Sequence, residues 1–348
     1  MTHVVYVGTY TEGRPGGIHS FRFDARTGRF TKALPLTPAQ NPSFLTVSGS
    51  FLYAVAETDT YGGRPGGAAA AYQVNERTGA LSLVSMQLTQ GRAPCHVSAG
   101  GRFLFAANYN EGTVTVFPLH TDGGVGLPAV ILRHSGSGPI EDRQAGPHAH
   151  FASLTPDEKH VCAADLGCDS VFVYPFDKAS GVSPGGRREL KLRPGSGPRH
   201  IAWHTSGRFA YVIMELSNEV AAFSNSNGQF ENLQYVSTLP AGHTGQSWCA
   251  AIHMAADGKF LYASNREHDS IAIFSVDAMT GRLELVEIVP SGGRWPREFA
   301  VDPTGRWMIV ANQKSDSIHV FHIDPKTGMP EETGECADLP CPACVAFA

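Results

Sequence analysis

Seven near-copies of one apolar strand, recurring at about 50 residues, predict an all-β chain: a seven-bladed β-propeller with four antiparallel strands per blade. Two further observations support it. Each copy is followed by a second β-rich run, and most of those runs end in one type of turn. Helical periodicity is nearly absent.

The copies are VVYVGTYT from Val4, FLYAVAET from Phe51, FLFAANYN from Phe103, HVCAADLG from His160, FAYVIMEL from Phe209, FLYASNRE from Phe260 and WMIVANQK from Trp307. Their followers include GIHSFRFD, TVTVFPLH, SVFVYPFD and SIAIFSVD. The turns are DARTG at Asp24, NERTG at Asn75, DKASG at Asp177, DAMTG at Asp277 and DPKTG at Asp324. An Asx side chain caps such a turn and its glycine takes positive φ. A further strand comes next, for example LELVEIVP. Before six of the seven copies lies an inner strand: PSFLTV, PCHVSA, HAHFASL, PRHIAW, AAIHMA and PREFAV. The first copy lacks one, and PACVAFA at residues 342–348 is the spare. The C-terminal strand is therefore expected to pair in the N-terminal blade and close the ring, removing an exposed edge. Residues 1–348 read as one domain.

Composition excludes several function classes. With 348 residues, 42% hydrophobic and 17% charged, the chain can bury a large core. A net charge of -5 gives no basic footprint, so nucleic acid is not an expected partner. No apolar run is long enough to span a membrane as a helix. The start, Met1-Thr2-His3 and then VVYVGTY, lacks the features of a signal peptide, and seven scattered cysteines suit buried thiols in a reducing cytoplasm. Cys341 and Cys344 have CxxC spacing without a second pair, which is too few ligands for zinc.

Antiparallel pairing puts the start of an inner strand beside the end of the next strand. The tight turns TPDEK, HTSGR, AADGK and DPTGR lie at the other end and read as generic. The first end gathers the unusual residues: His148 and His150 in GPHAH, Arg199 and His200 in GPRH, Arg297 and Glu298 in WPRE. Opposite them stand Glu57, Asn108, Asp165, Glu215, Asn265, Arg266, Asn312 and Gln313. Arg199 and Glu215 are thus expected at one mouth of a central channel, narrowed by YGGRPGG after Glu57 and by the long loop that carries Arg143 before His148. Counted back along alternating positions from Lys159, Arg208 and Arg306, His148, His150, Arg199 and Arg297 share a face, with His96, His200 and His253 on the other. Bland alternatives stand beside these readings. The asparagines can satisfy turn backbone, His200 and His253 can be structural, and an Arg–Glu pair can be a salt bridge between blades. His148 and His150 could ligate a metal, but the sequence specifies no third ligand. No nucleophile elbow or phosphate-binding glycine loop is present.

The ordered set GPHAHFASLTPDEKHVCAADLGCDSVFVY, GPRHIAWHTSGRFAYVIMELSNEV, DGKFLYASNREHDSIAIF and WPREFAVDPTGRWMIVANQKSDSIHVF resembles the lactonase family of seven-bladed propellers over essentially the whole chain. The resemblance implies a His, Glu and Arg catalytic cluster: His148, Glu215, Arg199 and Arg266. It also implies that no metal and no organic cofactor is needed. One departure, Asp157-Glu-Lys where the family has Asp-Gly-Lys, lies among the generic turns. The expected reaction is hydrolysis of a sugar-acid lactone, 6-phosphogluconolactone first, in cytoplasmic carbohydrate metabolism by way of the pentose phosphate pathway. His148 or Glu215 would be the base, and Arg199 and Arg266 would hold the oxyanion or a carboxylate. Arg143 and Arg297 are candidate phosphate contacts, with His150, Asp165, His200, Asn265 and Gln313 as further substrate-binding candidates. The expected partner is a small anionic lactone or sugar acid, and the expected assembly a monomer or weak homo-oligomer. The alternatives are a cycloisomerase of the 3-carboxy-cis,cis-muconate type and a non-catalytic binding module.

Overall fold

The computed structural model describes residues 2–11, 13–14 and 16–348. Its strands form seven antiparallel sheets of the blade type, accompanied by three short helical turns at Glu141–Gln144, Pro184–Gly186 and Gln313–Ser315. In the sixth sheet Trp248–Met254, Phe260–Arg266, Ser270–Val276 and Leu283–Pro290 pair in sequence order. The second, third, fifth and seventh sheets repeat that simple meander, and the fourth adds the short strand Gly181–Val182. The first sheet is completed as expected: Thr2–Thr9 pairs with Pro342–Phe347, Val7 opposite Val345 and Val5 opposite Phe347.

The recurring aromatics of the FLYA strands lock neighbouring sheets together. Tyr53, Tyr211 and Tyr262 donate their hydroxyls to the carbonyls of Gly123, Gly281 and Gly328, at 3.1, 3.1 and 2.9 Å. Trp307 does the same with its indole N–H to Ala25 O, at 2.8 Å. Phe51, Phe103, Phe209, Phe260 and Trp307, which begin five of these strands, pack on the turn glycines themselves. At Gly281, where φ is +72°, an added Cβ would sit 2.3 Å from the Phe209 ring. This glycine is therefore needed twice, for its left-handed backbone and for the space its missing side chain leaves.

The Asx turns form as their sequences require. The Asp277 carboxylate accepts the backbone N–H groups of Met279 and Thr280 at 2.8 and 3.1 Å. Asp324 and Asp177 accept from equivalent groups, and these donors lower the pKa of all three aspartates.

The chain packs as two compact units. One comprises residues 2–9, 20–34 and 200–348, the other the remaining described residues up to 199. In the first, Tyr211, Phe274 and Leu261 build one core cluster, Tyr262, Phe299 and Met308 a second, and Phe23, Trp307 and Val345 a third. In the second, Phe105, Phe172 and Val161 form one cluster, and Tyr53, Leu104 and Phe117 another. Each cluster joins side chains of consecutive sheets, which is how strands with two buried faces are covered.

Candidate active-site residues

The unit that ends at Arg199 holds a group built around His148. Its backbone is gripped from both sides: the His148 N–H donates to Asp165 Oδ1 at 2.7 Å, and the Leu166 N–H donates to His148 O at 2.9 Å. Gly167 makes that approach possible, because a Cβ there would lie 1.9 Å from Gly146 O. The imidazole stacks on the Tyr109 ring, with centroids 4.4 Å apart and planes at 15°. Its Nδ1 lies 3.0 Å from the Tyr109 carbonyl oxygen. A carbonyl can only accept, so Nδ1 carries the proton and the neutral ring keeps its lone pair on Nε2.

Asp165 is fully buried and also accepts from Cys168 N at 3.1 Å. Its Oδ2 lies 2.7 Å from Nδ1 of the buried His134, which stacks on Phe172 at 4.1 Å. His150 is buried and meets the edge of Tyr109 at 5.6 Å. Arg143, on the helical turn Glu141–Gln144, donates to the Tyr109 hydroxyl at 3.3 Å. Gln144 pins that loop with its amide, to Leu166 O at 2.8 Å and Asp169 Oδ1 at 2.7 Å. His148, His150, Asp165 and Arg143 are thus brought together, with Tyr109 as the shared surface that sequence reasoning missed.

Arg199 is buried in the same unit, and its charge, after burial itself, holds His96 in the neutral form with a pKa lowered to about 3. His96 lies between Phe44 and Phe151, at 4.3 and 4.4 Å. Glu57 takes a hydrogen bond from Tyr10 at 2.8 Å and a short one from Ser43. It lines a cavity of about 410 Å³ with Asn41, Asp59 and Asn110.

The other unit holds Glu215 and Arg266 as a buried ion pair, Nη2 to Oε2 at 2.8 Å. Arg266 also donates through Nε to Trp248 O at 3.3 Å and through Nη2 to Cys249 O at 2.8 Å. Burial pulls its pKa down, Glu215 restores part of the shift, and Arg297 lowers it again. An arginine remains charged through such shifts. The guanidinium faces the Trp295 ring at 5.3 Å. Arg297 and Gln313 are half-buried and His200 is buried. The Gln313 N–H donates to Trp295 O at 3.0 Å. His253 bonds Glu298 at 2.6 Å, the structural role left open for it above.

Three expectations need correction. Asn265 is not a substrate contact here: it is fully buried, accepts from Thr238 Oγ1 at 2.7 Å and donates to Thr238 O at 2.8 Å and Ser270 Oγ at 3.1 Å. Asn108 and Asn312 donate their amide N–H groups, to Thr113 and Thr115 Oγ1 and to Ser291 O. Asp165 holds His148 from behind and has no open side. The shared-face reckoning also fails at the strand starts, because bulges between Ala149 and Phe151 and between Pro296 and Glu298 reset the alternation. Among the described residues, no three His, Cys, Asp or Glu side chains are placed to hold a metal ion.

A signal that could have been read is the Asp-Ser pair opening three third strands. Asp169, Asp269 and Asp316 take φ of 48°, 51° and 52°. Their carboxylates receive N–H groups of the segment entering an inner strand: Gly195 and Gly197, Trp295, and Cys341. Asx residues tolerate that backbone better than others.

Seven antiparallel blade-type sheets define a β-propeller. The family described as "Lactonase, 7-bladed beta-propeller" matches residues 4–347, and the chain belongs to it. A 6-phosphogluconolactonase of Bacillus subtilis is 40% identical over 308 residues, covering 87% of this chain and 86% of the relative. One of Formosa agariphila is 35% identical over 311 residues, covering 86% of each. The solved periplasmic gluconolactonase of Pseudomonas aeruginosa superposes with a TM-score of 0.92 at 35% identity, covering 100% of this chain and 99% of that one. The chain is thus a lactone hydrolase by family.

Proposed function

We propose that this chain hydrolyses 6-phosphogluconolactone to 6-phosphogluconate, with His148 as general base. The observation that carries the reading is the Nε2 lone pair of His148, fixed by the Nδ1–Tyr109 carbonyl contact. Nε2 takes a proton from water as the water oxygen bonds the lactone carbonyl carbon. The ring C–O bond then breaks, and the imidazolium returns the proton to the departing alkoxide, so that one water is added overall. Glu215 is the weaker candidate for base because Arg266 already occupies its carboxylate. In the unit that holds His148, Arg199 is assigned to the oxyanion, Arg143 to the anionic substituent and His150 to the sugar hydroxyls. In the other unit, Arg266, Arg297, His200 and Gln313 are the candidates for substrate contact.

The names of the relatives favour hydrolysis over the cycloisomerase and the binding module. A cytoplasmic setting in the pentose phosphate pathway, no resident cofactor, and a monomer or weak homo-oligomer complete the proposal. The test is hydrolysis of freshly made 6-phosphogluconolactone by purified protein. The wild type should exceed the spontaneous rate, and H148A should lose about 10²–10⁴ in kcat. Wild-type turnover at the spontaneous rate, or an H148A variant as fast as wild type, would remove the proposal.

A further inference from the structure

Trp295 has a backbone that its side chain does not suit. Five segments leading into inner strands carry a proline whose preceding residue has positive φ: Asn41 at 41°, Ala93 at 50°, Gly197 at 62°, Trp295 at 65° and Cys341 at 44°. The position asks for a small residue or an Asx, and four of the five sites comply. A bulky side chain there is strained, and such strain persists where the surroundings enforce it and the side chain has a use. The surroundings are on hand. Asp269 Oδ1 accepts the Trp295 N–H at 2.7 Å, and the Trp295 and Arg294 carbonyls accept the N–H groups of Gln313 and Lys314 at 3.0 and 3.1 Å.

The use is electrostatic. The Lys314 ammonium lies 3.3 Å from the centre of the Trp295 ring, and the Arg266 guanidinium 5.3 Å from it. One indole face attracts a cation through its quadrupole, and this indole takes two. Lys314 Nζ also meets Glu267 Oε1 at 2.8 Å, yet its side chain is 48% exposed. An ammonium has three donors, so the indole and Glu267 leave at least one for a ligand. Arg294 adds a second exposed cation, its guanidinium donating to Lys314 O at 3.2 Å.

We infer that Lys314 is a specificity-determining residue that receives the phosphate of a phosphorylated lactone, and that Trp295 is the positioning residue that holds its ammonium in place. This rests on the hydrolase reading above. Neutral sugar lactones would gain nothing from Lys314, whereas a phosphate dianion gains a charge-assisted hydrogen bond.

The test compares kcat/KM for 6-phosphogluconolactone and for unphosphorylated gluconolactone in the wild type, K314M, W295A, W295F and E267Q. In K314M the ratio should fall about tenfold, through KM for the phosphorylated substrate, and the ionic-strength dependence of that KM should weaken. W295A should repeat the effect and W295F restore part of it. E267Q, which removes a competing negative charge, should move the ratio the other way by about two- to threefold. A ratio unmoved by K314M, with both lactones still hydrolysed, overturns this inference alone. Equal KM losses for both lactones in W295A overturn the positioning role. Failure of the wild type on both lactones overturns the hydrolase reading and this inference with it.

Discussion

Asp277 and Glu215 are both carboxylates at the end of a strand, and they behave oppositely. Asp277 stays exposed and satisfies itself with N–H groups two and three residues onward. Glu215 is buried, and its guanidinium partner lies 51 residues away at Arg266. The first arrangement is complete within one turn and depends on nothing else. The second exists only after two sheets have formed, and each partner becomes a liability without the other. The same contrast separates Asp177, served by Ala179 and Ser180, from the buried Asp165, served by His134 and the His148 backbone.

That comparison can be broken by substitution. E215A leaves a buried guanidinium without its counter-ion and should cost about 3–5 kcal/mol in urea unfolding, and E215A/R266M should recover part of it. A loss below about 1 kcal/mol would show the pair to be no more than a surface contact. A smaller effect per pH unit is expected at His96, whose folded pKa of about 3 lies below the unfolded value near 6.5. Between those values the unfolded chain binds the extra proton. Stability is therefore complete above about pH 6.5 and declines as pH falls toward 3, by at most about 1.4 kcal/mol per pH unit. H96Q, which keeps an acceptor for Ala152 N–H, should flatten this part of the profile, and an unchanged slope would place the titration elsewhere. The least effect belongs to D277N. The amide oxygen can still accept both turn N–H groups, so the midpoint should shift less than in either other variant, and a larger shift would deny that the turn is self-contained.

Legibility in the sequence follows the same division. The seven sheets, the Asx turns and the completion of the first sheet by residues near 342–347 could be read because each rests on a repeated local pattern. His148, Arg199, Glu215 and Arg266 could be picked out because they break that pattern. What each one touches was not legible. Tyr109 looks like one more strand-end aromatic, His134 like one more loop histidine, and Trp295 like a residue before a proline. Their partners lie tens of residues away, and the bulges at His150 and Arg297 leave no mark in an alternation count. Asn265 misled for the reverse reason, since a polar residue at a conspicuous place turned out to serve Thr238.

The union of Thr2–Thr9 with Pro342–Phe347 carries a consequence for how the molecule is made. A ribosome delivers the earlier strand first and its inner neighbour more than 330 residues later. Throughout that interval the earlier strand exposes a ladder of unmatched amides, an invitation to any other nascent chain nearby. Assembly in the cell should accordingly stay vulnerable until residues 342–347 have been made.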